Sequence, residues 1–229
     1  MDTDTEQAPL QLTPLEARII GALIEKEITT PEYYPLTLNA LAAACSQKNN
    51  RSPVMDLDGQ TLQNGIYSLQ EKRLVECFSG ATARTVKYRE RFIAALELDR
   101  EERALLCELL LRGPQTAGEL KNRAARMHPF ATLEETLAAL ARLAARDPQP
   151  FVAELPRLPG HKENRFAHLL GDQPPALDAP PAEPAWLATG DAATRPAGRV
   201  DALETRVAAL EEEVAAMKAL FATFKSQFE

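Results

Sequence analysis

One pattern of helix starts and apolar spacings occurs twice in this chain, about 80 residues apart, and it limits the fold more than any other feature. In the first repeat, Thr13-Pro14-Leu15-Glu16 is a helix start. Thr13 can accept from the amide three residues on, Pro14 suits the first helical position, and Glu16 can reach back to the cap. Ile19, Ile20, Leu23 and Ile24 follow at helical spacing. Thr37 caps a second short helix with Leu38, Leu41, Ala42 and Cys45 inward, and Asp58 caps a third with Leu62, Ile66 and Leu69 inward. LVECF and ARTVKYR, separated by a Gly80 turn, alternate as two strands of a hairpin. In the second repeat, Asp99 with Glu102 opens a helix whose Leu105, Leu106, Leu109 and Leu110 lie 86 residues beyond the first set. Gly113-Pro114 stops it. Thr116 with Glu119 and Thr132 with Glu135 open two more helices, the last with Leu133, Leu137 and Leu140 inward, and residues 151–155 and 165–169 form the second hairpin. Helix, helix, helix, hairpin is the winged-helix order. The expected fold is mainly α with small β-hairpins (α+β): two tandem winged-helix domains, residues 12–92 and 97–170.

Composition sets this globular part apart from the C-terminal quarter of the chain. Residues 171–199 contain six prolines, eight alanines and three glycines, too few large apolar residues to pack alone, and read as a linker. Beyond the linker the period changes. Leu203, Val207, Leu210, Val214, Met217, Phe221 and Phe224 recur at alternating steps of four and three, continued by Val200 and Phe228 at the ends. Residues 200–229 therefore read as a coiled-coil helix, which needs a partner for its apolar seam. The expectation is a homodimer through this helix; the alternative is a helix folded back on its own globular part.

The net charge is −7, from 26 basic and 33 acidic residues, and gives no global pull toward nucleic acid or anionic membrane. Residues 171–229 carry 5 basic and 10 acidic residues, so much of the acidity lies in the tail. No stretch is apolar enough for a spanning helix, and the opening MDTDTEQAP lacks the basic-then-apolar order of a secretory leader; a cytoplasmic location is expected. Cys45 and Cys107 fall within apolar helical patterns and read as buried free thiols. His128, His161 and His168 form no metal-ligand motif. There is no Cys-x-x-Cys, phosphate-binding glycine loop or Gly-x-Ser-x-Gly elbow, so neither an enzyme nor a cofactor is expected.

At YYPLTLNALAAACSQKNNRSPVM, followed by LQNGIYSLQEKRLV and later LPRLPGHKENRFAHLL, the sequence resembles the YceH-like family of uncharacterised bacterial proteins. The resemblance spans about residues 12–170, and residues 47–51 are its most distinctive block. Ser46 stands where the family form has an Asn. The resemblance implies two winged helices and no particular activity.

Candidate functional residues derive from the winged-helix reading. Helix-turn-helix relatives insert their third helix in the major groove, and here Gln60, Asn64, Tyr67, Ser68 and Glu71 are expected outward, with Gln60 and Asn64 able to pair an adenine edge. Lys48, Asn49, Asn50 and Arg51 precede that helix, and Arg84, Lys87 and Arg89 lie in the wing; these are the expected phosphate contacts. Four such contacts would give a salt slope of roughly −3.6. The expected function is a DNA-associated regulatory protein that binds duplex DNA weakly and in a salt-sensitive way. Its rival is a protein-protein scaffold without direct DNA binding. The discriminator is whether the basic side chains of the loop and wing form one exposed patch.

Overall fold

The computed structural model describes residues 9–78, 85–157 and 163–171. Each expected helix start is present. Helix α1 (Pro14–Thr29) opens with a reciprocal cap: the Glu16 amide donates to Thr13 Oγ1 at 3.2 Å and the Thr13 amide to Glu16 Oε2 at 2.7 Å. A short strand β1 (Leu36–Thr37) leads into α2 (Leu38–Cys45), capped by Thr37, and then α3 (Gly59–Glu71), capped by Asp58. Strands β2 (Val75–Phe78) and β3 (Lys87–Glu90) pair antiparallel, and β1 joins on the other side of β3, giving the order β1-β3-β2. Tyr88 stands opposite both Leu36 and Cys77.

A single helical turn, α4 (Phe92–Ala95), leads into the second repeat, whose order is the same. Helix α5 (Arg100–Arg112) carries the Asp99/Glu102 reciprocal cap and ends at Gly113, whose φ of 72° lies in the left-handed region that glycine tolerates. Strand β4 (Gln115–Thr116), α6 (Ala117–Ala124), α7 (Leu133–Ala144), β5 (Val152–Leu155) and β6 (Arg165–His168) complete it. The sheet order β4-β6-β5 mirrors the first, and Phe166 stands opposite both Gln115 and Glu154, as Tyr88 does opposite Leu36 and Cys77. The fold is α+β, with seven helices and two three-stranded antiparallel sheets among the described residues. The two-residue strands β1 and β4 and the turn α4 are additions to the expected elements.

The repeats meet along α1 and α5, and their apolar side chains form one continuous core. Gly21 permits a close approach, since a Cβ there would lie 2.8 Å from Leu111 Cδ2 and 2.9 Å from its Cγ. The Cys107 thiol, 86 residues beyond Gly21, donates to the Gly21 carbonyl at 3.3 Å, so the seam crosses itself at matched positions. Both Cys45 and Cys107 are buried and unpaired, as expected, and burial pushes the Cys45 thiol up to about 12 and raises Cys107 as well. The segment before α1 closes the ring: the Leu12 amide donates to Leu170 O at 2.7 Å, and Leu10 exchanges two hydrogen bonds with the Gln149 side chain.

The inner face of α7 differs from expectation. Leu133 and Leu137 are each 41% exposed, and the residues that turn inward are Thr136, Ala139, Leu140 and Leu143. A count of leucines overlooks Thr136, whose hydroxyl donates to Thr132 O at 3.3 Å; with its polar group satisfied inside the helix, the side chain packs as an apolar one. Gly65 lets α3 approach α1, since a Cβ there would lie 2.7 Å from Ile19 Cδ1 and 2.9 Å from Leu15 Cδ2.

Candidate functional site

The loop between α2 and α3 is where the sequence concentrates its most distinctive residues, and tertiary packing divides them. Lys48 and Asn49 are exposed. Asn50 and Arg51, expected at phosphates, point the other way. Arg51 is 5% exposed: its guanidinium takes both carboxylate oxygens of Glu25 on α1, at 3.2 and 2.6 Å, and donates to the Ala44 carbonyl at 3.1 and 2.9 Å. This corrects the expectation and has a physical cause. The last carbonyls of a helix lack intrahelical partners, and a guanidinium bridging them to a buried carboxylate satisfies both. Arg18 acts likewise, donating to Cys45 O at 3.1 Å and Pro53 O at 2.6 Å. Asn50 accepts from Arg112 at the end of α5, and the Ser52 amide donates to Leu111 O at 2.9 Å. Ser46, the departure from the family form, accepts from the Leu57 amide at 3.3 Å.

Around Arg51 a five-residue ion cluster joins the repeats. Arg126, just after α6, reaches Glu25 at 2.6 Å and Glu108 on α5 at 2.9 Å, and Arg112 lies 3.0 Å from Glu108. Glu25 and Glu108 are both buried. Burial pushes the Glu25 carboxyl up, but the hydrogen bonds and charge of Arg51, with Arg126 and Lys26 behind them, outweigh it and hold the group below its ordinary value. Sequence reasoning missed Glu25 and Glu108. The available signal was a carboxylate inside an apolar helical run, as in LLCELLL, a placement that calls for a buried cation.

The outer face of α3 is as expected, except at Ser68, which is half-buried and donates to Glu16 at 2.8 Å. Gln60 donates to Asn64 at 3.0 Å on the solvent side, and Tyr67 is 58% exposed. In the hairpin, Tyr88 is buried and its phenol donates to Gln63 Oε1 at 3.3 Å. Arg89 pairs with Glu76 and lies over the Phe78 ring at 4.4 Å, and Arg91 shares the same carboxylate at 3.5 Å. Lys87 and Lys48 are exposed and, among the described residues, have no carboxylate at ion-pair distance. Arg84 lies outside the described residues, as do the linker and Leu203, Val207, Leu210, Val214, Met217, Phe221 and Phe224. The basic residues of the loop and wing therefore do not gather into one free patch among the described residues.

Two titratable groups, Glu90 buried and His168 half-buried, occupy matched sheet positions. Glu90 stands opposite Val75 and His168 opposite Val152. Burial raises the Glu90 carboxyl from 4.5 to about 7; the Ile93 amide, which it accepts at 2.8 Å, opposes the shift and the Glu27 carboxylate adds to it. Burial lowers His168 from 6.5 to about 4. Among the described residues no group of three His, Cys, Asp or Glu is placed to hold a metal ion, and no helix is long and apolar enough to cross a membrane.

The second repeat presents a groove between α7 and its hairpin, about 420 Å³ in volume, lined by Leu137, Leu140, Ala141, Ala144, Ala145, Glu154 and Phe166.

The family model described as "Protein of unknown function, DUF480" matches residues 12–161, which take in the loop, the ion cluster, the first sheet and the second repeat as far as β5. The chain belongs to the DUF480 family. Its relatives carry the name UPF0502 protein: one from Opitutus terrae is 49% identical over 171 residues, covering 75% of this chain and 74% of that one. Another, from Geotalea daltonii, is 50% identical over 220 residues, covering 95% and 98%. The Geotalea match is longer than the DUF480 region and so extends past it into the flanking segments. A Vibrio cholerae relative is 50% identical over 165 residues, covering 70% of this chain and 76% of that one. The YceH-like resemblance read from residues 33–55 agrees with this family.

Proposed function

We propose that this DUF480 protein is a non-enzymatic adaptor whose two winged helices dock protein partners. The order of helix, short strand, two helices and hairpin, with the last strand central in each sheet, supports the winged-helix reading of both repeats. The observation that carries the docking reading is the use made of the basic residues. Arg51 is committed to Glu25, and Arg89 and Arg91 to Glu76, which leaves Lys48 and Lys87 as the cations of the described loop and wing without an ion-pair partner. Exposed apolar side chains accompany them, Tyr67 on α3 at 58% and Val54 in the loop before it at 56%.

A second reading, weak duplex DNA association, is favoured by one observation: Gln60 and Asn64 lie side by side on the outer face of α3. With two lysines at phosphates, the slope of log K against log salt would be about −1.8, half the steepness expected from sequence. Two measurements test the proposal. The full chain, used as bait in native cell extract, is expected to retain a discrete protein after nuclease treatment and to lose it in Tyr67→Asp. Gel shifts at low salt are expected to show no duplex binding at tens of micromolar protein. Retention abolished by nuclease, together with a shift that Lys48→Glu and Lys87→Glu remove, would replace docking with DNA association.

A further inference from the structure

Five glutamates are buried among the described residues, and four of them have a cation. Glu16 meets Lys72 at 2.7 Å, Glu25 meets Arg51 at 2.6 Å, Glu102 meets Arg146 at 2.6 Å and Glu108 meets Arg126 at 2.9 Å. Glu90, the last residue of β3, is the exception. Among the described residues no cation lies at ion-pair distance from it, since Arg89 and Arg91 on either side both turn to Glu76. The charged side chain within its hydrogen-bonding reach is another carboxyl, Glu27 in the last turn of α1.

A buried carboxylate without a cation is costly, and two adjacent carboxylates repel when both are ionised. One proton held between them removes both costs, because a carboxyl donates to a carboxylate in a short, charge-assisted bond. The C-terminal end of a helix carries partial negative charge, which disfavours an ionised Glu27 further. The surroundings hold the pair in place. The Ile93 amide of α4 donates to Glu90 Oε2 at 2.8 Å, and the Glu90 amide donates to the phenol oxygen of Tyr34, just before β1, at 2.8 Å. Burial, with the Glu27 and Glu90 carboxylates behind it, raises the Tyr34 phenol, so Tyr34 stays protonated and brings no charge. From β2 the residue opposite Glu90 is the apolar Val75.

We propose that Glu27 and Glu90 share one proton and form a latch that ties the end of the wing to α1, closed while the proton is held and released when it is lost. The latch sits where β3 passes into α4 and the chain leaves the first repeat, so it sets how firmly the strand that carries Lys87 and Arg89 is held. At the matched strand position the second repeat has His168, which lacks the carboxyl that the latch requires. The folded-state value of Glu90 lies above its ordinary one, so the latch is complete at acidic pH and opens as pH rises through about 7.

Carboxyl-carbon NMR titration of the full chain, with hydrogen exchange at the Glu90 and Ile93 amides, tests this. In wild type, Glu90 is expected to titrate with a midpoint of about 7. Protection of the two amides, corrected for the intrinsic rate, is expected to fall by about tenfold between roughly pH 6 and pH 8.5. Glu27→Gln supplies a fixed donor in place of the shared proton, so the Glu90 midpoint is expected to fall by about one pH unit or more and the protection to lose its pH dependence. Glu90→Gln supplies the same donor from the other side and is expected to leave protection equally flat. Both substitutions preserve side-chain size, and a thermal melt at about pH 6 checks that each variant folds. A Glu90 that titrates in the ordinary carboxyl range, a midpoint unmoved by Glu27→Gln, or wild-type protection that does not change with pH would each overturn the proposal.

Discussion

Helices α3 and α7 hold the same place in their repeats, are buried through the same four positions and are capped alike, yet their solvent sides have different chemistry. α3 shows Gln60, Asn64, Tyr67 and Glu71 to water, and the corresponding positions after the start of α7 are Glu134, Ala138, Ala141 and Ala145, with Leu133 and Leu137 exposed beside them. The hairpins diverge in step: Tyr88 bonds Gln63 and is buried, and Phe166 lines an open groove. The strand-end positions differ as well, with a buried Glu90 in one sheet and a half-buried His168 in the other. The comparison teaches that the frame is set by four inward residues and a cap, which leaves the outer face of the same helix free to carry large polar side chains in one repeat and mostly small ones in the other.

The largest effect is expected where the repeats are joined. Arg51→Met leaves the buried Glu25 with Arg126 alone as a close guanidinium, and removing one partner of a buried pair costs about 3–5 kcal/mol. Arg126 contacts the same carboxylate but is 34% exposed at its side chain, so Arg126→Met is expected to cost less, about 1.5–3 kcal/mol. Urea denaturation of the two variants measures both; equal losses would break the asymmetry between the halves.

A smaller effect separates Glu90 from His168. The folded-state value of Glu90 is raised, so its contribution is present below the ordinary carboxyl value of 4.5 and is lost as pH rises through about 7. His168 is depressed, so its contribution is present above 6.5 and is lost as pH falls through about 4. The two slopes oppose each other over much of the same window and partly cancel in the wild type. Glu90→Gln is expected to leave stability rising between pH 4.5 and 6.5, and His168→Phe to leave it falling, each by about 1–3 kcal/mol across the window. Melting temperatures at several pH values check the signs.

The smallest effect makes the first repeat resemble the second. Tyr88→Phe removes the phenol that Gln63 accepts and is expected to cost about 0.5–1.5 kcal/mol. A loss well beyond that would mean the hydroxyl does more than join the hairpin to α3 by one hydrogen bond.

Legibility in the sequence tracks the range of each interaction. Thr13 with Glu16, Asp99 with Glu102 and Thr116 with Glu119 close their caps within three residues, and all three are found as read. The inward set of α3 was legible because every member large enough to notice is apolar. That of α7 was not, because Thr136 is polar by type and apolar in effect once its hydroxyl bonds back to Thr132. The loop at residues 47–51 was legible as a distinctive block, but the direction of its side chains was not. Arg51 meets Glu25 across 26 residues and Asn50 meets Arg112 across 62, distances at which local sequence carries no information about pairing.

The sequence by itself determined the repeat, the helix starts, the hairpins and the burial of Cys45 and Cys107, because caps, turns and apolar periodicity act over a few residues. Only the tertiary structure decided that α1 and α5 merge the repeats into one core and that Arg51 is committed to Glu25 instead of facing solvent. It also decided that a groove stands open between α7 and its hairpin, and that Tyr88 is tied to Gln63 at the corresponding place in the first repeat. Each of these depends on which surfaces meet, and a charged or apolar side chain is buried or free according to a partner that the chain brings to it from far away.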